Sequence, residues 1–224
     1  MALEFIDGVA IGFWIVVIIL SLAISGVLFY LYAKSEHRVK YRLAFCLVFL
    51  SLGISRIILM YFDYFLTELN PVLYENYQLM WKLAQLFELI GLGFLILISE
   101  DAVFKGKDYY VFSIGFSIVV CIGMLIQEFL LTQNILVYAL AFAILIPISW
   151  LYLAIKLPDT RKNTLLIFLG IIICGAGLIL ISAAVVEALL PLMNIHYIYL
   201  LSAIIQIPGL LIIATGVKRM YFAT

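Results

Sequence analysis

RLAFCLVFLSLGISRIILMYFDYFLTELNPVLYENYQLMWKLAQLFELIGLGFLILI, Arg42 to Ile98, is the stretch whose reading decides the fold. It reads as two apolar helices joined by a short acidic joint, with four charges set inside the apolar text. Arg56 and Asp63 lie on the first helix, Lys82 and Glu88 on the second. In an antiparallel hairpin, residues at equal depth have a constant sum of residue numbers. The sums for Arg56 with Glu88 and for Asp63 with Lys82 differ by one, so both opposite-sign pairs fall at matched depths around a turn centred near residue 72. At 1.5 Å rise per residue, Arg56 and Glu88 each lie about 15 Å from the helix ends nearest that turn. A lone charge at the middle of a membrane-spanning helix costs about 2.5–3.5 kcal/mol on insertion scales, so the pattern predicts pairing.

The spacing also says how the pairs are aimed. Arg56 and Asp63 are two turns apart and project from one side, among Leu52, Leu59 and Met60. Trp81, Gln85 and Glu88 form an i, i+4, i+7 stripe on the second helix. Lys82 is rotated from Glu88 by about 120°, and must reach Asp63 along its flexible stem. One pair is well aimed and the other must stretch.

The rest of the chain has the same character. Of 224 residues 67% are hydrophobic and 12% charged, with a mean hydropathy of +1.25; ordinary soluble domains carry about 25% charged residues. Seven apolar segments can be drawn, roughly 8–33, 42–66, 77–98, 109–131, 135–156, 164–189 and 196–217, each near the length that crosses a hydrocarbon core. The expected fold is all-α: a single polytopic membrane bundle over 1–224, with seven transmembrane helices, multi-pass in the cell membrane. Orientation follows from Lys and Arg in the joints. Lys34, Arg38, Lys40 and Arg42 fill the first joint, Lys105 and Lys107 the third, and Lys156, Arg161 and Lys162 the fifth. Lys218 and Arg219 follow the last segment, so eleven of the thirteen basic residues fall on one side. The N-terminus and the even joints carry acids such as Glu4, Asp7, Glu68 and Glu75. That places the N-terminus outside and the C-terminus inside, as an odd number of crossings requires. With Glu4 and Asp7 as the only early charges, the start lacks the positive region of a secretory signal, and the first helix is expected to stay.

Aromatics gather near both ends of the segments, among them Trp14, Tyr61, Tyr64, Tyr74 and Trp81 at one side and Tyr30, Tyr41, Tyr110 and Trp150 at the other, as interfacial belts do. Gly170, Cys174 and Gly177 put small residues on one face of the sixth segment, which reads as close helix packing. On the seventh, Ser202 and Gln206 share a face, and Pro208-Gly209 follows at mid-span, where the missing backbone hydrogen bond would make a kink or hinge. Helices one to three and five to seven could be parallel repeats, since Tyr30-Leu31-Tyr32-Ala33-Lys34 and Tyr152-Leu153-Ala154-Ile155-Lys156 close comparable helices.

Several chemistries are excluded. Cys46, Cys121 and Cys174 lie inside apolar runs, with no CxxC and no implied metal or disulfide. The only Lys of the seventh segment is Lys218 at its edge, so no retinal Schiff base is expected. His37 and His196 fall on opposite sides, so no zinc cluster forms. Neither GxSxG, HExxH nor a phosphate loop occurs. No cofactor, no enzymatic activity and no nucleic-acid partner are expected.

Arg56, Tyr61-Phe62-Asp63-Tyr64-Phe65, Trp81-Lys82 and Glu100 together resemble archaeal seven-helix membrane proteins of uncharacterised role and, more loosely, the seven-helix sensor modules that precede histidine kinases. The resemblance covers about a third of the chain and carries no family site onto it. It implies a sensor module, although kinase sensors continue into a signalling domain and this chain stops. Two functions are therefore expected to compete. One is a receptor-like module that binds a small ligand or lipid and acts through a membrane partner in trans. The other is a small-solute or ion transporter or channel, with Arg56, Glu88 and Gln206 on the path. A structural subunit of a membrane complex is third. The candidate polar site is Arg56, Asp63, Lys82, Gln85, Glu88, Ser202 and Gln206, with Pro208 and Gly209 as hinge.

Overall fold

The structure is a computed structural model that describes residues 2–34, 40–104 and 110–222. Within them the chain is all-α. The helices are α1 (Ala2–Lys34), α2 (Lys40–Tyr61), α3 (Gln78–Phe104), α4 (Val111–Leu125), α5 (Phe129–Ala143), α6 (Leu145–Lys156), α7 (Arg161–Leu180), α8 (Ala183–Leu189) and α9 (Ile195–Phe222). Five stretches are long and apolar enough to cross a membrane: Phe5–Lys34, Tyr41–Leu66, Phe129–Lys156, Pro158–Leu180 and Ile195–Arg219. The basic joints at 35–39 and 105–109, with Arg38, Lys105 and Lys107, lie outside the described residues.

The boundaries depart from the sequence expectation in three places, each with a local cause. The fourth segment ends at Leu125, and the turn falls at Ile126–Glu128 instead of near 132–134. Thr132 lies in α5, with its N–H and its hydroxyl both on the Glu128 carbonyl at 2.9 Å. The fifth segment is broken at Ile144 into α5 and α6. Pro147 sits in the first turn of α6, where it has no N–H to give and its ring clashes with the carbonyl four residues back, that of Ala143. The sixth segment is interrupted at Ile181–Ser182, where the Ser182 hydroxyl donates to the Ile179 carbonyl at 2.7 Å.

The helices close a ring. α1 packs on α2 and α9, α2 on α3, α3 on α6, α6 on α7, and α7 on α9, while α4 and α5 pair with each other against α3. Asp7 at the start of α1 is hydrogen-bonded to His196 at the start of α9, so these two helices run side by side in one direction. The end of the bundle holding these starts and the α2–α3 turn is the acidic end; the opposite one is the basic end. Inside the ring, Val17, Phe45, Phe49, Ile96, Ile167 and Leu210 are buried, and Phe45 meets Trp150 of α6 with ring centroids 5.6 Å apart.

The tightest seam is α7 against α9. Gly170 and Gly177 on α7, and Gly209 and Gly216 on α9, are each two turns apart. A Cβ at Gly209 would lie 2.7 Å from the Cys174 backbone nitrogen, and one at Gly170 2.9 Å from the Gly209 carbonyl. Small residues let the two backbones touch. α9 runs as one helix through Pro208, and Gly209, expected as part of a hinge, is a site of backbone contact.

Candidate functional site

Arg56 is the largest fully buried side chain and is 1% exposed. It projects from α2 into the ring, where its Nη2 donates to Glu88 Oε2 at 2.9 Å. The depth-matched pair read from the hairpin is therefore formed. Ser55 also reaches Glu88 Oε2, at 3.4 Å. The guanidinium lies over the Trp14 ring of α1, 5.3 Å from its centroid, an arrangement that stabilises a buried cation. Its Nε and Nη1 have no hydrogen-bond partner.

Asp63 does not meet Lys82, which corrects the second pair. After Tyr61 the helix widens into a π-turn, Phe62–Leu66, closed by the Thr67 N–H on the Phe62 carbonyl at 3.0 Å. Single π-turns inside α-helices are frequent at functional sites. Asp63 is buried in it, and the Tyr199 hydroxyl of α9 donates to its Oδ1 at 3.3 Å. Lys82 instead donates to the Ile126 carbonyl, where α4 ends. That carbonyl belongs to the negative end of the α4 dipole and attracts a cation, and Lys82 already points aside from Glu88. Gln85 is half-buried one turn from Glu88 and takes no part in the cluster.

Between Arg56 and Asp63 lies a cavity of about 10 Å³ for the centre of a water-sized sphere, lined by Trp14, Arg56, Leu59, Met60, Asp63, Tyr64 and Ile181. The Trp14 indole N–H and the Tyr64 hydroxyl border it near one another, yet neither makes a hydrogen bond of good geometry. From α9, Gln206 Nε2 donates to Ser202 Oγ at 2.9 Å, and Ser202 donates to the Gly177 carbonyl at 2.7 Å. Both side chains are fully buried, and Gln206 Oε1 is unpaired. Cys174 of α7 lies close enough to Arg56 and Glu88 to feel both charges.

Two participants of the cluster, and one buried carboxylate outside it, escaped the sequence reading. Tyr199 stands three residues before Ser202 and seven before Gln206, so it extends their stripe, and that spacing was the available signal. Tyr74, from the α2–α3 turn, lies beside Tyr199 and stacks obliquely on Phe62, centroids 5.1 Å apart. Burial raises its hydroxyl above the usual tyrosine range, and the Asp63 charge raises it further. Glu100, near the basic end, is fully buried and accepts the Phe112 and Ser113 N–H groups at 2.8 and 3.0 Å. It thereby caps the start of α4 from a neighbouring helix, as carboxylates do at helix N-termini.

No protein-family model, curated protein or solved structure matches the chain. The site must be read from its own chemistry. Among the described residues the buried charges are Arg56, Asp63 and Glu100, and no group of His, Cys, Asp and Glu could hold a metal ion. Along the core from Arg56 toward the basic end come Phe49 and Phe45 on α2, Leu210 and Ile213 on α9, and Ile167 on α7, all buried. The polar cluster is close to the acidic end; toward the other, the buried hydroxyls of Ser51, Ser25, Ser99 and Ser149 are interspersed among these larger apolar side chains.

Proposed function

We propose that the protein is a multi-pass membrane protein with seven crossings, N-terminus outside and C-terminus inside, acting as a receptor-like module. In this reading α5 with α6 make one crossing and α7 with α8 another. The alternation of basic and acidic joints supports the orientation, and the Asp7–His196 contact supports an odd number of crossings between α1 and α9. The Arg56 cluster receives a small ligand from outside, and the helices pass the change to a membrane partner. One observation carries this: Arg56 and Asp63, two of the three buried charges among the described residues, lie toward the acidic end, and the large buried side chains Phe49, Phe45, Leu210 and Ile213 separate them from the third, Glu100. A site reached from one side suits reception, whereas conduction needs access from both.

Two measurements on the full chain test the reading. Reconstituted in proteoliposomes, it should pass no protons, sodium, potassium or chloride; flux of any of these would replace reception with conduction. Photo-crosslinkers placed on the exposed faces of α1 and α9 should trap a partner in native membranes. Recovering only the protein itself would sink the receptor reading.

A further inference from the structure

Resting on that receptor reading, we infer that the ligand of the Arg56 cluster is a proton, bound at Asp63 alongside one water molecule in the adjoining cavity. Charge balance is the first argument. Two carboxylates, Glu88 and Asp63, face one cation, Arg56. The guanidinium is hydrogen-bonded to Glu88, while Asp63 has only the Tyr199 hydroxyl. The other titratable groups around Asp63 carry no balancing charge: Tyr64 beside it, Tyr74 from the turn and Tyr199 from α9; Cys174 of α7 adjoins Arg56 and Glu88 instead. Farther out, Asp7 of α1 is held by His196 of α9, and Lys82 is engaged by the Ile126 carbonyl. A buried carboxylate left without a cation is balanced most readily by a proton.

Size is the second argument. A cavity of about 10 Å³ admits one water and no organic ligand. The unpaired groups on its wall are Arg56 Nε and Nη1, the Trp14 N–H and the Tyr64 hydroxyl. A water there accepts from two of these donors and gives its own hydrogens to Asp63 and Tyr64, a full set of partners. A bare anion would suit the donors and meet the two carboxylates. A metal ion would face N–H groups that cannot bind it.

The third argument is a route. Asp63 and Tyr199 are hydrogen-bonded, and Tyr74, from the half-buried turn, lies beside Tyr199, so three oxygens lead from the cluster to the turn. In uptake, Tyr199 passes its hydroxyl proton to Asp63 Oδ1 and takes the proton of Tyr74, which is refilled from water at the turn. Each hydroxyl gives one proton and regains one, and Asp63 gains one. Loss of that proton turns Asp63 into a second carboxylate competing for Arg56. The guanidinium is then drawn from Glu88 on α3 toward the π-turn. That exchange of partner between two helices is the signal.

Infrared difference spectra of the full chain in lipid nanodiscs, acid against alkaline, test this. The wild type should show the carbonyl stretch of a protonated carboxyl. Asp63→Asn, isosteric and neutral, should abolish the band; Asp7→Asn and Glu88→Gln should keep it. Tyr199→Phe should displace it by removing a hydrogen bond, and that variant decides the matter if Asp63→Asn does not fold. No band in the wild type, or one untouched by both Asp63→Asn and Tyr199→Phe, would overturn the inference. A missing band with an intact cross-linked partner leaves the receptor reading standing with another ligand. A band without a partner leaves the proton site standing without the receptor.

Discussion

Removing Glu88 and removing Arg56 should each be costly, by different routes, because they form one buried pair. Glu88→Leu leaves a guanidinium 1% exposed with no hydrogen-bonded carboxylate. Orphaning a buried charge costs about 3–5 kcal/mol, and the Trp14 face offsets only part of it, about 1–2 kcal/mol. Arg56→Leu leaves Glu88, whose side chain is 23% exposed. That carboxylate can take a proton, so the cost is again about 2–3 kcal/mol, here mostly lost packing against Trp14. The double variant leaves no orphan of this pair and puts two leucines in an apolar ring, so its loss should be about 1–2 kcal/mol. The interaction energy of the cycle is then about 3 kcal/mol. For a chain of this size each kcal/mol moves the melting temperature by about 2–4 °C, so the double variant should melt roughly 6–12 °C above the additive expectation. The assay is fluorescence-monitored melting of all four proteins in one detergent. Additive losses would mean that the 2.9 Å contact couples nothing and each charge is held by other groups.

Two further outcomes separate packing from pairing. Asp63→Asn and Lys82→Met should be additive within about 0.5 kcal/mol in the same melting assay, because the two side chains have different partners; strong coupling would restore the pair that the hairpin register suggested. Gly209→Ala should cost about 2–3 kcal/mol, since its Cβ would meet the Cys174 backbone, which cannot step aside. Gly12→Ala, with nothing within 4 Å of its Cβ, should leave stability unchanged or raise it by up to about 1 kcal/mol. Equal effects at the two positions would refute the close α7–α9 seam.

What could be read in advance was whatever follows from spacing along one helix or register between two. Arg56 and Glu88 were legible because an antiparallel hairpin fixes depth by arithmetic, and the glycine row of α7 because small residues at helical spacing mean close approach. Lys82 was misread because its partner is a carbonyl at the end of another helix, and backbone groups leave no mark in the choice of residue. Glu100 escaped for the same reason, since it caps two N–H groups. The break at Ile144 was written in Pro147 but lost in the apolar run around it. The π-turn that brings Asp63 beside Tyr199 was hidden in the single residue Thr67, whose hydroxyl donates to the Phe62 and Asp63 carbonyls at 3.0 and 3.3 Å.

The 15 residues of α4 give a wall about 22 Å tall at 1.5 Å per residue, against a hydrocarbon core of about 30 Å. α1, with 33 residues, is about 50 Å long. In the proposed seven-crossing arrangement the molecule is therefore short on the α4 side, and the lipid there must thin, at fractions of a kcal/mol for each ångström of mismatch. Such a lopsided collar of compressed lipid gives the protein a preferred edge. Neighbours with equally short walls, including a second copy turned to face it, share the compressed lipid and relieve it, so mismatch alone draws them to the α4 side before any side chain meets.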